Sequence, residues 1–442
     1  MKFCSLLNRA LLLAILPMIA QAQPDARPEL KTVNLSEAIG YALEYNFAIR
    51  QARERIRQQE GVIIEVTAQA RPQVGVDAYY QFSEIDVSTS NPPSNHGYTL
   101  GLTASQALYA GGGIRSSIRS SQLVREAALL DLKAVINEAL LEVRTSFYEV
   151  LLARDRITVQ EENLRLLEQQ LKTTTDRFEA GTVSGFERLR AEVAVANART
   201  PLISARNAHR LAVEALRQAI GVTARRSDTL DDGPEVIGVL EYNPVTFDLA
   251  SATQSARANR PELQRLVRLA EASEEGVTTA RSSRYPNLNV VGGWDARKGP
   301  SAAFSDVREG FFVGLQSNWA IFDGRATSGR VAQARSIVEQ TQLTLQETEL
   351  AADVQVRRAF SSWQEATELV EASGRVVEQA MEAVRLSNAR YSAGTGTQLD
   401  VLQTQVELTT ARSNQVQAYY NYNVAIASMR QAMGQNDALV AD

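Results

Sequence analysis

The chain has 442 residues, with 46 Lys and Arg against 51 Asp and Glu and a formal net charge of −5. Its length and 44% hydrophobic content suit folded structure of two or three ordinary domains. The mild acidity excludes nucleic acid as a partner, because no basic field is available to displace counterions. Cys4 is the single cysteine and His96 and His209 are the two histidines, which rules out thiolate zinc sites, disulfide scaffolds and Cys–His dyads.

The N-terminus reads as an export signal over residues 1–22. Lys2 and Arg9 supply a positive start, Ala10 to Ala20 is apolar, and Ala20-Gln21-Ala22 fits the small-x-small cleavage rule. The mature chain is expected to begin at Gln23. Cys4 precedes the apolar run and so is not placed for lipidation. Beyond this segment no apolar stretch reaches the 18 or so residues of a membrane-spanning helix, so a membrane role requires β-strands.

The rest of the chain repeats itself. Gly181 in Arg177-Phe178-Glu179-Ala180-Gly181-Thr182 and Gly394 in Arg390-Tyr391-Ser392-Ala393-Gly394-Thr395 are 213 residues apart. The same spacing relates Gly101-Leu102 to Gly314-Leu315, and Leu216 to Gly221 with Met429 to Gly434. Upstream, Pro72 and Pro286, like Leu35 and Leu249, are 214 apart, so one residue was gained or lost between. The expected units are a first repeat within 23–221, a linker at 222–248, a second repeat at 249–434 and a tail at 435–442.

Each repeat opens on one helical stretch; Leu35, Ala38, Ile39, Ala42 and Leu43 follow the helical period. Two alternating segments follow. Val74, Val76, Ala78, Tyr80 and Phe82, then Tyr98, Leu100, Leu102 and Ala104, recur at every second position, with Asn91 to Asn95 as a loop between. The second copy offers Leu288, Val290, Gly292 and Trp294, then Phe311, Val313 and Leu315, with Trp319 and Ile321 on the same parity. This pattern suits either a transmembrane β-barrel or a half-buried soluble hairpin.

From Ile114 to Ala180 no Gly or Pro occurs, enough for a helix of roughly 100 Å. Arg144, Glu149, Arg154, Asp155 and Arg156 exclude a membrane span for it. In the second copy Gly329 and Gly374 are expected to interrupt the helix. Gly181 and Gly394 fit C-terminal caps, each followed by a returning helix. The first return helix is rich in small residues, Ala191, Ala194, Ala196 and Ala198, and Pro201 is expected to kink or break it. Gly111-Gly112-Gly113 reads as a strand-to-helix turn, since Gly324-Arg325-Ala326 replaces it in copy two. Four strands leave two open edges, which lipid forbids, so several chains must pool their strands.

The duplicated order, the copies of Arg-aromatic-x-Ala-Gly-Thr and the aromatic-x-Gly turns resemble the TolC-like outer-membrane efflux proteins. The resemblance runs from about Leu35 to Gly434. It implies a mainly α fold with a transmembrane β part: a homotrimer with a 12-stranded outer-membrane barrel continued by a long periplasmic α-helical barrel. The implied function is the exit duct of a tripartite efflux or type I secretion system. The implied partners are outer-membrane lipid, a periplasmic adaptor (membrane fusion) protein and an inner-membrane pump or ABC transporter. A periplasmic coiled-coil adaptor or scaffold without a pore is the rival reading, but adaptors carry one helical hairpin, not two matched copies. An enzyme is disfavoured: there is no nucleophile elbow, metal cluster or phosphate loop, and no cofactor is expected.

The resemblance also implies where the tunnel closes. The family's acidic ring places Asp400 at its first position and Gln403 at its second. Its closing network of aromatic, basic and acidic residues falls on Tyr391, Gly396 and Glu187, beside the turn glycines Gly181 and Gly394. Ser184 with Glu187 and Thr397 with Asp400 also fit capping boxes, a role compatible with lining a pore.

Overall fold

The computed structural model describes residues 31–82, 96–222, 233–299 and 307–435. The expected signal segment 1–22, the Asn91 to Asn95 loop, linker residues 223–232 and tail residues 436–442 lie outside the described residues.

In chain order the elements are β1 (Thr32–Val33), α1 (Leu35–Tyr45), α2 (Phe47–Ala68), β2 (Gln73–Phe82), β3 (His96–Ala110), α3 (Gly113–Glu179) and α4 (Gly185–Ile220). They continue as β4 (Glu235–Val236), α5 (Leu249–Asn259), α6 (Pro261–Ser282), β5 (Asn287–Lys298), β6 (Arg308–Asn318), α7 (Ala326–Ser392) and α8 (Gln398–Ala432). Helix, helix, strand, strand, long helix and long helix therefore occur twice in the same order.

Four expectations are corrected. The opening stretch of each half is two helices, not one. Asn46 leaves the helical region, and its side chain then accepts from the backbone of Ala48 and Ile49 to start α2. In the second half Pro261 forces Arg260 out of the helical region and occupies the first turn of α6. Gly329 and Gly374 do not interrupt α7, which runs for 67 residues. Each glycine costs only about 1 kcal/mol in a helix, less than the packing along so long an element supplies. Pro201 does not end α4 either: the helix passes through it, with Ala198 and Leu202 buried on either side. Finally, β6 ends at Asn318, so Trp319 and Ile321 leave the strand parity; the Trp319 indole instead donates to the Arg284 carbonyl.

The largest apolar core lies where the middle of α3 meets the C-terminal end of α4. Ile39 and Ala42 of α1, Val143, Phe147 and Leu151 of α3, and Leu216 and Ile220 of α4 pack together with Val236 and Leu240. The segment from Gly233 to Asp248 crosses this girdle and is tied on both sides. The Arg154 guanidinium donates to the carbonyls of Val236 and Gly238, while Tyr422 donates to the Asn243 carbonyl and accepts from the Val245 amide.

The strands form one antiparallel sheet in the order β2-β3-β5-β6. Its register sorts the two faces. Val74, Ala104, Gly292 and Val313 form one row, and Val76, Leu102, Trp294 and Phe311 the next, on a common face. The opposite face carries Asp77, Gly101, Asp295 and Gly310, then Tyr79, Thr99, Arg297 and Arg308. Among the described residues nothing covers the apolar face at β6: Phe311 is 89% exposed and Val313 82%. Among the described residues no helix is long and apolar enough to cross a membrane.

Gly221, the cap of α4, has φ 85° and touches the turn between α1 and α2; a Cβ there would lie 2.4 Å from the Tyr45 carbonyl oxygen. Gly181 has φ 73° but open space around it. Gly181→Ala should cost ~1–2 kcal/mol for the left-handed backbone alone. Gly221→Ala should lose ~1–3 kcal/mol more through forced displacement of the packed turn. Thermal unfolding followed by helical circular dichroism checks the order; equal midpoints for the two variants would contradict it.

Candidate functional site

The two long hairpins turn at Gly181 and Gly394, both in the left-handed region. At the first turn Gly181 donates to the Phe178 carbonyl and Thr182 to that of Arg177. At the second, Gly394 donates to Tyr391 and Thr395 to Arg390. These are paired cap bonds that satisfy the last carbonyls of α3 and α7 and reverse the chain.

The return helices then start differently. Thr397 and Asp400 make a complete capping box: the Thr397 hydroxyl accepts from the Asp400 amide at 3.2 Å, and the Asp400 carboxylate accepts from the Thr397 amide at 2.9 Å. Ser184 accepts from the Glu187 amide at 3.4 Å, but the Glu187 carboxylate does not return the bond. It accepts instead from the Tyr391 hydroxyl at 3.5 Å, across 204 residues of sequence. Of two acids at matched positions, Asp400 closes its own helix and Glu187 joins the two hairpins.

Asp400 and Gln403 are exposed on α8. The Gln403 amide donates to the Glu407 carboxylate at 3.3 Å, which extends the polar face of α8 by one turn. Glu407 was not anticipated; its spacing of seven residues from Asp400 was the available signal. Gly396 stands where the resemblance has a base. Its amide donates to the Arg390 carbonyl, and a Cβ would meet the Arg390 Cβ at 3.1 Å and the Tyr391 nitrogen at 3.2 Å. A side chain there has little room.

Two further features of the tip were not read from the sequence. The Arg177 guanidinium lies over the Tyr391 ring, 4.8 Å from its centre. Behind it, Gln398 donates to the Thr174 hydroxyl at 3.4 Å, and both residues are buried. Gln170 Nε2, Gln398 Oε1 and Gln405 Oε1 are buried without a hydrogen-bond partner among the described residues. Both features are contacts between distant segments, which no local motif encodes.

The histidines lie elsewhere. His96 begins β3, where its Nδ1 meets the Tyr80 hydroxyl at 2.5 Å, and His209 lies on α4, held below its ordinary pKa by burial and by the Arg154 charge. Among the described residues no group of His, Cys, Asp and Glu is placed to hold a metal ion.

The Asp400 carboxyl is held below its ordinary value of 3.8, first by the Thr397 amide, then by the Thr397 hydroxyl and the Arg390 charge. A depressed folded-state value means that the cap contributes fully above the ordinary value. Its contribution is lost as pH falls through the folded value. Amide exchange in the first turn of α8 should therefore stay slow down to about pH 4 and quicken only below it. An Asp400→Asn variant should show no such acid transition. An unchanged transition in that variant would assign it to another group.

With this geometry in hand, the chain can be compared with known proteins. Residues 38–222 and 252–435 both match the family model described as outer membrane efflux protein. Protein CyaE of Bordetella pertussis is 24% identical over 90% of this chain and 84% of its own. The pyoverdine export outer membrane protein OpmQ of Pseudomonas putida is 24% identical over 94% of this chain and 89% of its own. Among solved structures, the Campylobacter jejuni CmeC outer membrane channel superposes with a TM-score of 0.79 at 15% identity, covering 94% of this chain and 90% of that one. The chain belongs to the outer membrane efflux protein family, whose TolC-like members are outer-membrane channels with a long periplasmic helical part and not enzymes.

Proposed function

We propose that this protein is the exit duct of a tripartite efflux or type I secretion system, working as a homotrimer. Three copies of the four-stranded sheet make one barrel of about 12 strands, and three copies of α3, α4, α7 and α8 make a helical tunnel below it. Substrate enters from an inner-membrane pump or ABC transporter, guided by a periplasmic adaptor, and leaves outside the cell. The two halves, 23–221 and 249–434 joined at 222–248, are read as a duplicated unit.

One observation carries the reading. A sheet with an apolar face left bare and both edge strands unpaired continues directly into helices of 67 residues. In hydrocarbon each unpaired backbone group costs several kcal/mol, so such a sheet persists in lipid only when it closes on other copies. Water gives no such compulsion, but there the apolar face would be the liability. Lipid outside and pooled edges resolve both at once. Helices of roughly 100 Å then reach deep into the periplasm, where the adaptor and pump meet them.

At the inner end, Asp400 points to the aperture and three copies form an acidic ring. Glu407, bridged by Gln403, adds a second tier. Within one chain the capping bonds lower the Asp400 pKa, and in the ring like charges raise it. The capping bonds favour the ionised form, so the proposed ring carries negative charge at neutral pH and favours cations. Single-channel recordings in a planar bilayer test this. The wild type should be cation-selective and blocked by multivalent cations, and Asp400→Asn should lose both properties while the number of copies per particle stays at three. Unchanged selectivity in the variant would confine Asp400 to its capping role.

A further inference from the structure

The two hairpin tips treat their matched aromatic residues differently. Phe178 and Tyr391 stand three residues before the turn glycines, at equivalent positions of the two halves. Phe178 is covered from within its own hairpin: the Arg188 guanidinium lies 4.6 Å from its ring centre. The residue matched to Arg188 in the second hairpin is Val401, a fully buried apolar side chain. The cation on Tyr391 comes from the other hairpin, as Arg177 at 4.8 Å.

We propose that Arg177 is a positioning residue of the tip, supplying the cation that Gly396 cannot. Its guanidinium holds the Tyr391 ring so that the hydroxyl reaches Glu187. The consequence for conduction rests on the exit-duct reading above. Arg177 (α3), Glu187 (α4) and Tyr391 (α7) thereby form one clasp across three helices and both hairpins.

Three details make the clasp more than a surface contact. First, Arg177 is itself held: its carbonyl accepts from both the amide and the hydroxyl of Thr182, each at 2.9 Å. Its side chain therefore springs from a fixed turn. Second, Gly396 carries no side chain and a Cβ there would crowd Arg390 and Tyr391, so no base reaches Tyr391 from that position. Third, the seam beneath the clasp holds weakly. Gln398 and Thr174 are buried against each other at 3.4 Å, while Gln170 Nε2 and Gln398 Oε1 go unpaired among the described residues. Buried amides without partners favour any arrangement that lets water in. Tyr391, through Arg177 and Glu187, joins the two hairpins at their tips above this seam.

The test uses the full-length protein with Arg177→Gln, Arg177→Lys, Tyr391→Phe and the Arg177→Gln/Tyr391→Phe double variant. Two readouts are taken: resting conductance in planar bilayers, and hydrogen exchange of residues 177–187 and 391–400 in detergent. Arg177→Gln should raise the open population about two- to five-fold per clasp, the range for an exposed cation–π contact. Arg177→Lys, which keeps a cation over the ring, should remain near wild type. The double variant should match Arg177→Gln and exceed Tyr391→Phe, because Tyr391→Phe loses only the bond to Glu187 whereas Arg177→Gln loses the ring contact and, with it, that bond. Exchange should quicken in both turns and stay unchanged in the strands and the central girdle. Wild-type conductance and exchange in Arg177→Gln would overturn the proposal, as would exchange quickened throughout the chain, which would mark a general packing role. A wild type that fails to conduct would sink the exit-duct reading, and the exchange measurement would still decide the role of Arg177.

Discussion

The unpaired backbone of two edge strands governs this structure. β3 and β5 have a neighbouring strand on both sides within the chain, but the outer sides of β2 and β6 do not. Water would satisfy those groups at little cost; hydrocarbon offers nothing. On the proposed reading the apolar row of Val76, Leu102, Trp294 and Phe311 faces hydrocarbon, and the edges then require other strands. On that reading these two demands are met together by pooling chains into a closed barrel. In that barrel the polar opposite face, with Asp77, Asp295, Arg297 and Arg308, would line the lumen.

Below the sheet the same duplication meets a different constraint. Two hairpins of matched length must fit side by side, yet each tip must meet a neighbour that is not its twin. The matched pairs have diverged accordingly. Glu187 and Asp400 occupy one position, but one bridges hairpins and the other closes a cap. Phe178 and Tyr391 occupy another, with cations from the same and from the opposite hairpin. The tyrosine hydroxyl accounts for part of this, since only Tyr391 can donate to a carboxylate. Small differences at equivalent sites thus turn two copies of a turn into two parts of one device.

Much of the architecture was legible because it depends on local rules. The breaker-free run from Ile114 to Ala180 coincides within a residue with α3, and Gly181 caps it in the left-handed region as glycine allows. Strand parity identified the apolar face correctly, apart from Trp319 and Ile321, which follow the last ladder bond. Rules for single residues failed where packing outweighs propensity. Pro201, Gly329 and Gly374 sit inside long helices that continue through them. Asn46 failed for the opposite reason. Its side chain offers the backbone a competing set of bonds and also donates to the Ala219 carbonyl, a partner 173 residues away. At the tip, Tyr391 and Glu187 were found by analogy of position, while Arg177 lay outside any motif because its contact crosses between halves.

The central claim is that β2 and β6 pair with strands of other copies. Hydrogen exchange on the protein embedded in lipid, resolved to the amides of residues 73–82 and 308–318, tests it directly. The account predicts that both edge strands exchange as slowly as β3 and β5, because every amide then lies in a ladder. Fast exchange at β2 and β6 beside slow exchange at β3 and β5 would mean open edges, and would contradict the closed barrel on which the rest depends.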